Sequence, residues 1–133
     1  MALRWSCFLS FRGGKGDLAA GIIDLFAKAL ANELELQVDA GLYRYTAEMV
    51  AGDVIDPTIA DELRASACMV ILFTGKYFSK ARPYCTREYL AMTHLERTRL
   101  AQLSPDERPR KGLIVPVIVR NPERFPPEMK TRF

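Results

Sequence analysis

The fold turns on residues 67–91, which read ACMVILFTGKYFSKARPYCTREYLA. The run CMVILFT (68–74) carries no charge. A strand buried on both faces of a parallel sheet has this composition, whereas a half-exposed strand alternates apolar and polar residues. A short loop, GKYFSKARP, follows. Pro83 then stands where a helix opens, and the helix is predicted to continue through Leu90 and Leu95 toward Leu103. A buried strand, a loop and a helix make half of a βαβ unit, and the flanking sequence supplies the rest.

Upstream, LRWSCFLSF (3–11) sets Leu3, Trp5, Cys7, Leu9 and Phe11 at alternate positions, with Phe8 facing the other way. This is a first strand, apolar enough to be buried on both faces. It ends in the glycine-rich turn RGGKGD. Asp17 can cap a helix over about 17–33, in which Leu18, Ile22, Leu25, Phe26, Ala29 and Leu30 recur at helical spacing. LELQVD (34–39) is predicted as the second strand, ending at Asp39, and AGLYRYTAEMVAGDVID (40–56) as a long polar loop. Asp56 and Pro57 provide a cap and a first-turn proline for a short helix. Its apolar stripe is Ile59 and Leu63, and Asp61 and Glu62 suit the dipole of its early turns. Downstream, GLIVPVIV (112–119) is a fourth strand. Pro116 has no N–H for a ladder, which assigns that strand to an edge or a bulge. The proline-rich remainder, RNPERFPPEMKTRF, reads as loop.

The order β-α-β-α-β-α-β predicts an α/β fold: a flavodoxin-like parallel sheet with helices on both faces and right-handed crossovers. The 133 residues fit a single domain. Ligands of such sheets bind beyond the carboxyl ends of the strands, at a topological switch point. There the loops RGGKGD, AGLYRYTAEMVAGD and GKYFSKARPYC converge. Glu88, about one turn into the third helix, points toward the same rim.

Hydrophobic residues make up 49 % of the chain and charged residues 26 %, with a net charge of +3, ordinary values for a soluble domain. So mild a charge calls for neither nucleic acid nor membrane as partner. Arg108, Arg110 and Lys111 read as a solvated loop, with a phosphate-binding patch as the sharper alternative. No apolar run approaches the length of a membrane span, and Arg4, Ser6 and Ser10 interrupt any signal-peptide pattern at the N-terminus. Three cysteines without a secretory signal point to reduced thiols and a cytoplasmic location. Cys7 and Cys68 fall in strands, as small apolar residues. The single histidine, His94, lies on the helix away from Glu88, and no zinc-site spacing occurs, so no metal is expected. P-loop, GxGxxG and Gly-x-Ser-x-Gly patterns are absent. These features alone support a small-molecule or partner site at a switch point.

Three blocks together resemble a TIR (Toll/interleukin-1 receptor) domain, and they span most of the chain. CFLSFRG (7–13) is similar to the opening strand of the family. GDVIDPTIADELRAS (52–66) matches the end of its BB loop and the following helix through Gly52, Ile55, Ile59, Leu63 and Ser66. Residues 67–91 match the pattern of strand, serine-bearing loop, aromatic-Cys, and a glutamate three residues after the cysteine. The resemblance implies an NAD+ glycohydrolase, in particular the bacterial NAD-cleaving effector type, with Glu88 as the catalytic residue. NAD+ is then the substrate, and no cofactor is implied. Loss of nicotinamide leaves an oxocarbenium-like ribose, and a carboxylate beside it stabilises the developing charge. Such a role needs Glu88 ionised, which the N-terminal end of a helix favours. The plainer reading is a first-turn acid that only suits the dipole.

The resemblance implies substrate contacts for six further residues. Tyr84 stands where the family often has tryptophan. It stacks on nicotinamide or ribose, or else packs on the core. Phe11 and Arg12 follow the first strand, and Arg12 pairs with a phosphate of NAD+ or with a rim acid such as Asp39. Tyr43 and Arg44, in the presumed BB loop, contact substrate or a neighbouring subunit, or are simply solvated. Ser79 touches ribose or serves the turn before the helix. Cys85 has no base beside it and is not expected to act as a nucleophile.

TIR domains usually continue with another strand and a final helix, which this chain is expected to lack: either it is the N-terminal part of a longer protein, with a sensor domain following, or the last layer is missing. The leading function is NAD+ cleavage to nicotinamide and ADP-ribose or a cyclic isomer, switched on by homotypic TIR–TIR assembly in antiviral defence or cell-death signalling. Loop 40–54 is expected to become ordered in the oligomer. A non-catalytic TIR–TIR scaffold is the alternative. A nucleoside-cleaving enzyme of similar fold, with Glu88 as nucleophile, is a third.

Overall fold

The computed structural model describes residues 3–11, 17–37, 41–44, 57–75, 77–78, 80, 84–107 and 112–130. The elements in chain order are β1 (Trp5–Phe11), α1 (Asp17–Gln37), β2 (Leu42–Arg44), α2 (Pro57–Arg64), β3 (Ser66–Phe73), α3 (Tyr84–Ala101) and β4 (Ile114–Ile118). A 3-10 turn at Pro122–Arg124 and a one-turn helix, α4 (Pro127–Lys130), follow. The four strands form one parallel sheet in the order β2-β1-β3-β4. This is the flavodoxin-like order expected from the sequence. Strands are added first on one side of β1 and then on the other, so the switch point lies between β1 and β3.

Strand side chains alternate between the two faces, and the two faces carry separate cores. Phe8 on β1 and Met69, Ile71 and Phe73 on β3 pack against Leu63 of α2 and Cys85 and Met92 of α3. Cys7, Leu9, Val70 and Leu72 pack against Ile23 and Ala27 of α1. The uncharged run read as a buried strand is therefore β3, flanked by β1 and β4. β4 lies at the edge of the described sheet. Pro116 sits opposite Ile71 there, and the exposed Val115 and Ile118 are also on this strand. An edge tolerates the missing proline N–H.

Three expectations are corrected. Residues 34–37 are the last turn of α1, not the start of a strand. Leu30 and Leu34 extend the buried stripe of Ile23 and Ala27, while Leu36 is 79 % exposed. Alternating leucines in LELQ mimic a strand, but glutamate, leucine and glutamine all favour helix, and packing of a single leucine suffices to continue it. The second strand is instead Leu42–Arg44, whose backbone pairs with Cys7, Phe8 and Leu9. Tyr43 and Arg44 thus lie in a strand and not in a loop. So short a strand is defined by its ladder partner, which no local pattern reveals. Finally, the C-terminal stretch holds two helical turns that bury Phe125 and Met129 in the α3-side core. The Phe125 ring meets Phe73 edge-on at a centroid distance of 5.1 Å.

Two tethers fix the layers. Arg99 of α3 donates to the carbonyls of Arg64 at 2.7 Å, Ser66 at 2.6 Å and Ala67 at 3.3 Å, gripping the turn between α2 and β3. Glu96, 7 % exposed, accepts the Leu113 N–H at 2.6 Å just before β4. Gly112 precedes that bond with φ of 77°, and a Cβ there would run into the Glu96 carboxylate. Among the described residues, no helix is long and apolar enough to cross a membrane, and no group of three potential metal ligands occurs.

Candidate active site

The site grows from a serine in an apolar strand. Ser10 lies two residues after Phe8, so it faces the α3 side, opposite Ile71 in the register with β3. It is 1 % exposed, and a hydroxyl so buried requires a partner. Two side chains meet it. The Tyr77 hydroxyl lies 2.5 Å from Ser10 Oγ, and Ser10 donates to Glu88 Oε1 at 3.1 Å.

Tyr77 is brought in by the loop after β3, where its N–H donates to the Thr74 carbonyl at 3.0 Å in a tight turn. Asn121, past the end of β4, accepts the Gly75 N–H at 3.2 Å and holds this turn down. A Cβ at Gly75 would lie 2.8 Å from that Asn121 oxygen, so the close approach needs glycine. Glu88 is brought in by helical periodicity. Cys85, Glu88 and Met92 share one face of α3, and the same packing that buries the cysteine and the methionine buries the carboxyl, which is 6 % exposed. From Tyr77 a line of rings continues: Tyr77 meets Phe78 edge-on at 4.8 Å, and Phe78 meets Tyr89 at 5.6 Å.

These surroundings set the protonation of Glu88. Burial pushes its pKa from 4.5 up to about 8, and the Ser10 hydrogen bond pulls the other way without overcoming it. A helix N-terminus is worth about 0.3–1 kcal/mol to an exposed acid, too little against desolvation of this size. The sequence-based expectation of an ionised Glu88 is thus reversed, and at pH 7 the side chain is mostly a neutral acid. Burial likewise raises the Tyr77 phenol well above its ordinary value, and the negative charge available to Cys85 and Glu88 adds to the effect.

The structure joins Glu88 to two residues that sequence reasoning did not single out, Ser10 and Tyr77. The signal for Ser10 is present in CFLSF: a hydroxyl on the Phe8 side of an apolar stretch. No sequence signal marks Tyr77, because the course of its loop depends on Asn121. Phe11 ends β1 half-buried and packs with the α1-side core, on the other face of the sheet from Glu88. Tyr84 is the first residue of α3, one turn before Glu88. Tyr43 and Arg44 are in β2, on the far side of β1 from β3. The side chains of these last three, and Arg12, Ser79, Asp39, Asp56, residues 45–54 and the basic cluster Arg108, Arg110 and Lys111 in full, lie outside the described residues. Cys85 is fully buried, and His94 is exposed.

Neither a protein-family model nor a curated protein matches the sequence. Among solved structures, the fold is similar to the TIR domains in the structure of the activated Roq1 resistosome directly recognizing the pathogen effector XopQ. The TM-score is 0.51 at 21 % identity, over 86 % of this chain and 57 % of the other. The similarity is one of fold, and this chain spans a little over half the length of that neighbour.

Proposed function

We propose that the chain is an NAD+ glycohydrolase of TIR type, cleaving the nicotinamide–ribose bond to give nicotinamide and ADP-ribose or a cyclic isomer, with Glu88 as the catalytic residue. The observation that carries this reading is a buried carboxyl, close to the carboxyl end of β1 beside the switch point of a TIR-like fold, hydrogen-bonded by Ser10. Free Glu88 is mostly protonated at neutral pH. The nicotinamide ring of NAD+ is positively charged, and a cation within about 4–6 Å favours the ionised form of a carboxyl. Substrate binding therefore drives the proton from Glu88 to solvent. The resulting carboxylate faces the ribose as positive charge develops there, in surroundings of low dielectric where it acts strongly. Water then takes the place of nicotinamide at the anomeric carbon. Tyr84, one turn ahead on α3, is the proposed stacking partner of the substrate, and Phe11, Arg12, Ser79, Tyr43 and Arg44 are its further proposed contacts. Activation by self-assembly, in antiviral defence or cell-death signalling, belongs to the same proposal. It is supported by the likeness to TIR domains that belong to an activated resistosome.

A non-catalytic TIR–TIR module is the second reading. It draws on the burial of Glu88, since an acid only 6 % exposed also suits a purely structural hydrogen bond. Chromatography of NAD+ incubated with assembled protein separates the two. The enzyme reading expects nicotinamide from wild type and none from Glu88→Gln. Intact NAD+ in both sinks it.

A further inference from the structure

The proton count along Tyr77, Ser10 and Glu88 permits a hydrogen-bonded chain in either charge state of the acid. Ser10 Oγ lies within bonding distance of both neighbours, at 2.5 Å from Tyr77 Oη and 3.1 Å from Glu88 Oε1. Each hydroxyl has a single hydrogen, and both are closed off from solvent, Ser10 at 1 % and Tyr77 at 0 % exposure. An ionised Glu88 only accepts, so Ser10 donates to it and Tyr77 donates to Ser10. A protonated Glu88 can donate to Ser10, and Ser10 then donates to Tyr77. Both contacts thus persist in either protonation state by turning two hydroxyls, with no heavy atom moving. Only the ionised state finds an acceptor within the trio for every hydrogen, since a protonated Glu88 leaves the Tyr77 O–H without one there. A buried serine in an apolar strand is otherwise a liability.

We propose that Ser10 and Tyr77 are positioning residues that hold the Glu88 carboxyl in one place through both of its protonation states and stabilise the carboxylate once its proton has left. This rests on the reading of Glu88 as the reacting group. Ser10 comes from β1, Tyr77 from the loop after β3 and Glu88 from α3, so the contact spans the switch point. Among the described residues, the other titratable side chains interacting with Tyr77 are Cys85 and Tyr89, both on α3. A hydrogen bond to a charged acceptor is stronger than one to a neutral acceptor, so the pair favours the ionised form.

The test compares wild type with Ser10→Ala, Ser10→Thr and Tyr77→Phe by two readouts. The first is the infrared carbonyl band of the protonated Glu88 acid, identified by subtracting Glu88→Gln and followed against pH. It does not depend on turnover. The second is the pH profile of NAD+ cleavage. Loss of the Ser10 hydroxyl is expected to raise the infrared midpoint by about one pH unit. Tyr77→Phe shifts it less in the same direction, and Ser10→Thr restores the wild-type midpoint. The acid limb of kcat/KM, which follows the free enzyme, moves with it, so Ser10→Ala loses about tenfold in kcat/KM at pH 7 and recovers most of it above pH 9. An infrared midpoint unchanged in Ser10→Ala overturns the proposal. Should that variant not fold, Tyr77→Phe decides by the same criterion. A shifted midpoint in a protein that leaves NAD+ intact supports the hydrogen-bond role and removes the glycohydrolase reading instead.

Discussion

Glu88→Gln is expected to stabilise the protein, and to do so only at neutral and higher pH. In the folded chain the Glu88 pKa is raised from 4.5 to about 8 by burial. Below pH 4.5 the acid is protonated both folded and unfolded, and its burial has no pH-dependent cost. From 4.5 to about 8 the unfolded chain gives up the proton while the folded chain keeps it. Stability then falls with rising pH by about 1.4 kcal/mol per unit. Above about 8 both forms are ionised and the loss levels off. Over the interval from 4.5 to about 8, the total comes to about 5 kcal/mol. Glutamine has nearly the same shape, can still meet Ser10 and does not titrate. All other groups are common to both proteins, so they cancel in the difference. Urea unfolding at a series of pH values reads it directly. With an m-value of about 2 kcal/mol per molar, the variant's midpoint should exceed that of wild type by on the order of 2 M near pH 8 and converge with it near pH 4.5. Midpoints that run parallel from pH 5 to 8 would refute the reasoning. A residue that lowers stability where it sits is what a functional site is expected to retain.

Three further outcomes test the framework around the site. Gly112→Ala is expected to lose about 1–3 kcal/mol in urea unfolding, because it combines the positive φ with a collision at the Glu96 carboxylate; an unchanged midpoint contradicts the tether before β4. Arg99→Ala leaves the partly buried carbonyl of Ser66 without its 2.6 Å donor and is expected to lose about 2 kcal/mol. Arg99→Lys should recover only part of this, since one ammonium cannot reproduce the guanidinium fork, and full recovery would argue for charge alone. Leu34→Asp is expected to destabilise by about 2 kcal/mol and Leu36→Asp to be near neutral, because one packs on the α1-side core and the other is 79 % exposed. Similar losses at both positions in thermal melts would favour a strand, which sets Leu34 and Leu36 on one face.

The fold was legible where a long pattern spoke for one element. CMVILFT has no polar face and became the buried β3, and Pro57 opens α2 as a first-turn proline does. It was illegible where two periods fit the same letters, as in LELQ, and where a strand of three residues depends on β1 for its pairing. α3 shows a deeper limit. Leu90 is 58 % exposed, whereas Glu88 and Glu96 are 6 % and 7 % exposed, an inversion of the usual amphipathic pattern. Their partners, Ser10 and the Leu113 N–H, lie 78 and 17 residues away in sequence. Nothing in YCTREYLAMTHLER announces them. Glu88 was singled out through resemblance to the TIR pattern. Its neutral state leaves no mark in the sequence, where the helix dipole is visible and desolvation is not.

The central claim is that Glu88 carries NAD+ cleavage, and product analysis of NAD+ incubated with wild type and Glu88→Gln under assembling conditions tests it most directly. The account predicts nicotinamide together with ADP-ribose or its cyclic isomer from wild type, and unreacted NAD+ from a folded, more stable Glu88→Gln. Nicotinamide released equally by both proteins, or by neither, would contradict it.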